Sequence, residues 1–330
     1  MPGHFATTRR GAVLGLLAAG AASRAQAQAP AWPTRGIRLL VGYPAGGAND
    51  FVVRTVATPL SEALGQPIVV ENRTGAAGGI AAEAAAKATP DGYTLFSLSS
   101  AHVLAPSVRK SVPFDPVKDF TPIVMLARSP YFLMVHQSVP ARTVAEFVAL
   151  AKSKPGELAY ASSGVGAGPH LTTSLFMHVA GIRLEHVPYR GDADALIDLT
   201  SGRVPCAFLS VAPAIPHIQA GTLRALAVSG AERLSLMPDV PTVAESGYPG
   251  FAMDAWWSIA GPAGLPPSVV SRVAAATQPI LDSPATAARY LTAGVVPAKL
   301  AGPEAFAAFV RQDRVRLDEI ARAAGIEPQD

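Results

Sequence analysis

The stretch IRLLVGYPAGGAND, residues 37–50, is the most informative about the fold, because it joins a strand pattern to a helix start through a glycine-rich turn. Residues 37–41 are a short apolar run, which predicts a buried strand that ends where the glycines begin. Asn49 or Asp50 is a natural N-cap for a helix over residues 50–64, whose apolar positions share one face. A strand, a turn and a helix in this order open a parallel βαβ unit.

The same plan recurs along the chain. Strand patterns at 67–70 and 93–98 enclose an alanine-rich helix that ends near residue 88. A second series begins near residue 131, where the strand at 158–161 runs into a second glycine-rich turn at 162–168. The other predicted elements are strands at 131–135, 185–187, 206–209 and 225–228 and helices at 143–152, 171–180, 192–200, 267–281, 284–293 and 303–324.

Two α/β series in one chain predict two lobes, each a mainly parallel sheet flanked by helices. We assign residues 28–129 and 230–330 to lobe 1 and residues 130–229 to lobe 2. The helices after residue 266 are expected to return and cover lobe 1, because no new strand pattern appears there. Trp256 and Trp257, just before them, more often indicate core or lobe packing than a ligand platform.

Composition excludes several classes of protein. Of 330 residues, 49% are hydrophobic and 15% charged, which excludes a disordered chain. The single cysteine, Cys206, allows neither an internal disulfide nor a multi-cysteine zinc site, and its apolar surroundings predict a buried thiol. No metal or cofactor motif is evident, and no cofactor is expected.

Residues 1–27 predict a secretory signal peptide. Arg9 and Arg10 precede an apolar stretch of about 12 residues, too short to span a bilayer, and Ala25 and Ala27 fit an A-x-A cleavage site. The paired arginines leave both the Sec and the twin-arginine export routes open. The segment holds three of the 27 Lys and Arg residues and no acidic residue, so its removal leaves 24 charges of each sign. A mature protein with no net charge is expected to bind nucleic acid poorly.

The two glycine-rich turns, residues 42–47 (the first glycine turn) and residues 162–168 (the second glycine turn), are the candidate binding features. Both follow strands of a predicted parallel sheet, and ligands bind at that edge of such sheets. A turn before a helix exposes backbone N–H groups, and the helix N-terminus adds about half a positive charge. Such turns can hold an anion without Lys or Arg, although the glycines alone are also explained by tight turns.

At these residues the chain resembles a known family, the Bug-type solute receptors of tripartite tricarboxylate transporters. The likeness covers nearly the whole mature chain in order. It is carried by residues 43–50 (YPAGGAND), 70–79 (VENRTGAAGG), 90–95 (PDGYTL), 114–120 (FDPVKDF), 160–164 (YASSG), 187–191 (VPYRG) and 238–243 (PDVPTV).

The resemblance implies a two-lobed, periplasmic-binding-protein-like fold that closes on a small carboxylate and delivers it to a membrane transporter. It implies a periplasmic, monomeric receptor in which the loop at 43–50 and the turn at 162–170 grip the ligand. Backbone groups and ordered waters at the first loop are expected to hold one end of it. The candidate ligand-binding residues are Tyr43, Ala45, Gly46, Gly47, Asn49, Asp50, Ser99, Ser100, His102, Ser162, Ser163, Gly166, His170, Tyr189 and Arg190.

Several candidates have two interpretations. Asp50 is either a ligand contact or half of a surface pair with Arg54, four residues on. Arg190 can meet a ligand carboxylate or a neighbouring Asp. His102 and His170 are ligand contacts or packing residues.

Some positions depart from the family pattern, in which Ala45 is often proline and Leu209-Ser210 often includes Asp or Asn. Asp192 and Asp194 stand where small residues are usual. If they face the cleft they raise the cost of binding a dianion, which leaves a neutral, zwitterionic or partly cationic ligand open. We expect instead that both are solvated at the start of the helix at 192–200.

Three functions remain in view. The transport receptor is favoured, since it needs no covalent chemistry and works by shifting an open–closed equilibrium between lobes. A ligand-sensing partner of a signalling protein has the same binding physics. A secreted hydrolase is disfavoured, because the chain lacks a G-x-S-x-G nucleophile elbow.

Overall fold

The computed structural model describes residues 1, 3, 32–323 and 325–328. The predicted signal peptide lies almost wholly outside these residues. In chain order the strands are β1 (Ile37–Val41), β2 (Ile68–Asn72), β3 (Thr94–Phe96), β4 (Phe120–His136), β5 (Ala159–Ser162), β6 (Glu185–Pro188), β7 (Cys206–Ser210), β8 (Leu223–Val228), β9 (Asp254–Pro262) and β10 (Val296–Pro297). The helices are α1 (Ala48–Leu64), α2 (Gly79–Ala86), α3 (Ser100–Val108), α4 (Val144–Ser153), α5 (Gly168–Ala180), α6 (Asp192–Thr200), α7 (Val211–Gln219), α8 (Pro267–Leu281), α9 (Pro284–Leu291) and α10 (Gly302–Ala323).

The strands follow the order β2-β1-β3-β9-β4-β7-β5-β6, with β8 and β10 paired to β4. At one end β1 pairs in parallel with β2 and β3, and at the other β5 pairs in parallel with β6 and β7. These are the parallel strands that the sequence predicts. The central strands β4 and β9 run antiparallel to their neighbours, so each region of the sheet is mixed rather than mainly parallel.

Strand β4 joins the two regions. Its residues from Phe120 to Pro130 pair with β9, and those from Tyr131 onward pair with β7. The predicted strand at 131–135 is therefore only the end of a 17-residue strand. Pro122 and Pro130 lack the N–H that a sheet ladder uses, and their presence concealed the rest of the strand from a reading of the sequence.

The core around β1 forms because its apolar side chains meet one face of α1. Ile37, Leu39 and Val41 are buried against Val53 and Leu60 of that helix. Helices α8 and α9 pack beside α1, where the phenol of Tyr290 donates a hydrogen bond to the carbonyl of Val52 at 3.0 Å. This part of the C-terminal segment covers the first region, as the sequence predicted.

Helix α10 departs from that expectation because it contacts both regions. It packs on β4 and α3, and also on α5 of the second region. Its Phe306 and Phe309 enclose Trp256, whose indole donates a hydrogen bond to Asp313 at 2.8 Å. Among the described residues, no helix combines the length and apolar character needed to cross a bilayer.

Candidate ligand-binding cleft

The two glycine turns border one cleft. A cavity of about 790 Å³ is lined by Gly47 of the first turn and by Ser163 and Gly166 of the second. A smaller cavity of about 480 Å³ adjoins it. The two cavities share their lining at Ala48, Tyr131, Ser163, Gly168, Ala255 and Trp257, so they are two compartments of the same cleft.

Five helices begin at this cleft, and their N-termini supply its polar character. Helix α1 follows Gly47, α5 follows Ala167 and α6 follows Gly191, none of which has a side chain that can cap a helix. The first N–H groups of a helix have no acceptor within it, so these amides are available to a ligand or to water. Helices α3 and α7 also start at the cleft, after Ser99 and Ser210.

Asp50 uses its carboxylate to hold the first glycine turn rather than to face the cleft. It accepts hydrogen bonds from the Gly46 amide, the Arg54 guanidinium and the Asn72 amide, each at 2.9 Å. Burial alone would raise the pKa of Asp50, but these donors and the Arg54 charge together hold that pKa below its usual value. Asp50 is therefore neither a plain surface pair nor a lining residue of the cleft.

Asn49, beside it, does line the larger compartment. Its side-chain oxygen accepts a hydrogen bond from Ser97 at 2.6 Å. Its amide nitrogen is buried and has no hydrogen-bond partner among the described residues. A buried donor without a partner is costly, so this amide is a natural contact for a ligand oxygen or a water.

His102 is a packing residue. It is fully buried, its ring lies 4.9 Å from that of Phe96, and its Nδ1 accepts a hydrogen bond from the Ser99 amide at 3.1 Å. Burial lowers the pKa of His102 to about 4, so the ring is neutral at pH 7. Tyr43, which packs on His102, lines the cleft together with Ser99 and Ser100.

The second glycine turn is held by two stacked imidazoles. The rings of His170 and His186 lie 4.1 Å apart, and His170 accepts a hydrogen bond from the Gly166 amide at 2.9 Å. Burial first, and the neighbouring His186 second, lower the pKa of His170 to about 4. Ser162 is fully buried and lies 2.7 Å from His186 Nε2, and this pair does not line the cleft.

Tyr189 and Arg190 point to different surroundings. The Tyr189 phenol donates to Asp198 at 2.8 Å and lines a separate outer groove with Asp194. Arg190 is exposed, lines both that groove and the larger compartment, and forms no ion pair with any described acidic residue. Of the two interpretations of Arg190, the one in which it binds a neighbouring Asp is therefore wrong.

The unusual positions also divide. Ala45 is exposed and outside the lining, and Asp194 lies on the outer groove. Asp192 lines the smaller compartment with Ser210, whose amide donates to its carboxylate at 3.1 Å. The expectation that both aspartates are merely solvated is therefore wrong for Asp192, because α6 begins at the cleft.

Of the candidate residues, nine line the cleft and six do not. Those that line it are Tyr43, Gly46, Gly47, Asn49, Ser99, Ser100, Ser163, Gly166 and Arg190. Those outside the lining are Ala45, Asp50, His102, Ser162, His170 and Tyr189.

Among the lining residues that the sequence did not reveal are Tyr131, Trp257 and Arg109. Strand alternation was the available signal for Trp257, because successive side chains of a strand point to opposite faces. With Trp256 in the core, Trp257 must face the other side. Tyr131 and Arg109 carried no comparable signal, since each reaches the cleft only through the packing of a distant element.

The charges that line the cleft are partly neutralised by the protein. Asp313 pairs with Arg316 at 2.8 Å, and Asp254 pairs with Arg128 at 2.8 Å. Within the described part of the chain, no ion pair involves Arg109, Arg190 or Asp192. Among the charges that line the cleft, these three have no ion-pair partner in that part of the chain.

The chain matches the model of the tripartite tricarboxylate transporter family receptor over residues 52–326. It is 35% identical over 321 residues to Protein BugT of Bordetella pertussis, which covers 97% of this chain and 96% of that protein.

Two solved structures from Rhodopseudomonas palustris share the fold. One, Rpa4515 with adipate, is 34% identical with a TM-score of 0.77, over 90% of this chain and 99% of that one. The other, MatC with bound malate, is 30% identical with a TM-score of 0.72, over 88% of this chain and 100% of that one. On the family match and this whole-length identity, the chain belongs to the receptor family of the tripartite tricarboxylate transporters.

Proposed function

We propose that the protein is a periplasmic receptor that captures a small organic carboxylate in the cleft and delivers it to the membrane components of a tripartite transporter. The observation that carries the proposal is the meeting of five helix N-termini at one cleft between two regions of the sheet. Three of these helices begin after a residue that cannot cap them, so backbone donors face the cleft without a protein acceptor.

The relatives support the class of ligand. Rpa4515 was solved with adipate and MatC with malate, and both are small carboxylates. In this chain Arg109 and Arg190 add two guanidinium groups to the backbone donors of the larger compartment. We assign a ligand carboxylate to this compartment, where Asn49 and Ser163 also present polar side chains.

The residues 28–129 and 230–330 act in this proposal as one lobe and the residues 130–229 as the other. Ligand capture draws the two glycine turns together, and the ligand shifts the population toward the closed state by its higher affinity for it. The chemistry that the cleft offers is hydrogen bonding and charge, so the ligand leaves it unaltered.

A thermal-shift screen tests the function. The purified protein is heated with mono-, di- and tricarboxylates, amino acids and aromatic acids, each over a range of concentrations. A ligand at 100 times its Kd stabilises the folded state by about 2.7 kcal/mol, which gives a clear rise in Tm. If no carboxylate in the panel raises Tm at millimolar concentration, the proposed function is wrong.

A further inference from the structure

The two compartments of the cleft differ in charge. The larger one is lined by three arginines and two aspartates. Asp254, Asp313 and Arg316 lie in ion pairs, whereas Arg109 and Arg190 form none within the described residues. In the smaller one, Asp192 is the one charged side chain among the described lining residues. The cleft therefore has a cationic end and an anionic end.

The carboxylate of Asp192 lies at the helix N-termini of the smaller compartment, where a ligand anion would otherwise bind. Asp192 is the first residue of α6, and it accepts a hydrogen bond at 3.1 Å from the amide of Ser210, the N-cap of α7. The carboxylate thus lies at the N-termini of two helices, where helix dipoles place partial positive charge. A second ligand carboxylate would find these donors taken and a negative charge in their place.

Apolar surface lies between the two ends. Trp257, Ala48 and Ala255 line both compartments and present carbon surface. Tyr131 is also shared, and burial, followed by the charges of Asp192 and Asp254, keeps the pKa of its phenol far above neutral pH. Tyr131 is therefore an uncharged hydrogen-bonding group midway along the cleft.

We propose that Asp192 makes this cleft selective for a small carboxylate whose far end carries an ammonium group, in preference to a dicarboxylate. The ligand carboxylate lies at the helix N-termini of the larger compartment, its methylene chain lies along Trp257, and its ammonium group meets Asp192. This inference rests on the proposed function, since it names the class of solute for the same cleft.

The physical reason is a difference in electrostatic energy between two ligands of equal length. An ammonium group beside Asp192 forms a charge-assisted hydrogen bond, whereas a carboxylate there is repelled and is left without a donor. Repulsion of the wrong partner is an effective source of specificity. Asp254, the other carboxylate near Tyr131, is paired with Arg128 and so contributes less to this choice.

Isothermal titration calorimetry with matched ligand pairs tests the proposal. The pairs are succinate with 4-aminobutanoate, glutarate with 5-aminopentanoate, and adipate with 6-aminohexanoate, each measured on the wild type and on Asp192→Asn. In the best-fitting pair, the wild type should bind the amino acid at least about tenfold more tightly than the diacid. The asparagine amide of the variant keeps an acceptor for the Ser210 N–H but removes the charge. The variant should therefore lose about tenfold in affinity for the amino acid and gain affinity for the diacid.

Asp194→Asn is the matched control, because Asp194 lies on the same helix but on the outer groove. It should bind both members of each pair as the wild type does. Circular dichroism and Tm show that both variants are folded.

The outcomes separate the two proposals. If the wild type prefers the diacid and Asp192→Asn leaves that preference unchanged, the inference about Asp192 is overturned while the receptor function stands. If neither protein binds any member of the three pairs, and the broad carboxylate screen is also negative, the receptor function itself is overturned.

Discussion

The two glycine turns occupy equivalent places at the cleft but are held by opposite kinds of interaction. The first is fixed by an ionised carboxylate, Asp50, which accepts hydrogen bonds from Gly46, Arg54 and Asn72. The second is fixed by neutral rings, since His170 accepts from Gly166 and stacks on His186. In both turns a buried polar side chain, Asp50 or His170, fixes the conformation of the loop and does not itself line the cleft.

A polar residue in a binding motif can therefore hold the loop that binds the ligand without contacting the ligand itself. The first glycine turn depends on an ionised Asp50, and the second glycine turn depends on a neutral His170.

Removal of the Asp50 carboxylate should have the largest effect. Asp50→Ala leaves the Gly46 amide, Arg54 and Asn72 without their acceptor, which should lower the free energy of unfolding by about 2–4 kcal/mol. Urea denaturation measures the change. Glu83→Ala, which breaks an exposed pair with Lys87, is the control and should cost about 0.5 kcal/mol or less. Equal losses in the two variants would show that Asp50 is only a surface pair.

A methyl group added at the start of α5 should have the next largest effect on stability. A Cβ on Gly168 would overlap the Tyr131 hydroxyl, so Gly168→Ala should cost about 1–3 kcal/mol and weaken carboxylate binding. Denaturation and titration calorimetry measure the two effects. Gly191→Ala is the control, because a Cβ there has nothing within 4 Å and its φ of 174° is ordinary extended backbone. Full affinity in Gly168→Ala would remove the start of α5 from the site.

Acidification should destabilise the second glycine turn at a higher pH than the first. The pKa of His170 and that of His102 are about 4 in the folded protein against about 6.5 when unfolded, and burial also lowers the pKa of His186. The unfolded chain therefore binds more protons in this window, so the free energy of unfolding should fall as pH decreases from about 6.5 to about 4. Asp50 adds its own loss only below its unfolded pKa, near 4.

Thermal unfolding between pH 7.5 and 4 measures this dependence. His170→Gln should flatten the Tm profile across the window, whereas His178→Gln, at an exposed position, should leave its slope unchanged. A wild-type Tm that is constant from pH 6.5 to 4.5 would contradict the prediction.

The smallest effects should distinguish neighbouring serines of the second turn. Ser163 lines the cleft and Ser162 is buried against His186, so Ser163→Ala should weaken carboxylate binding by about three- to tenfold with little change in Tm. Ser162→Ala should instead lower Tm.

Tyr189→Phe should leave Kd within about twofold, since its phenol binds Asp198 away from the cleft. A large loss of affinity in Tyr189→Phe would return that residue to the site.

Much of the fold was predictable because it is local. The strands at 37–41 and 159–162, the turns after them and the helices that follow are encoded by short apolar runs, glycines and helical spacing. The long strand β4 was not, because its first part, from Phe120 to Pro130, pairs with β9, more than 120 residues away, in spite of two prolines. Its pairing is a property of the sheet and not of the segment.

The positions of the glycine turns and of the helices that start after them could be read from the sequence, since both follow from backbone preferences of neighbouring residues. Which side chains reach the cleft depends on how distant segments pack. Asp50 and His170 turn inward because partners from other segments satisfy them, whereas Trp257 and Asp192 face the cleft because of the strand and helix that carry them. The direction of a side chain depends on contacts between distant segments, and a linear pattern does not contain them.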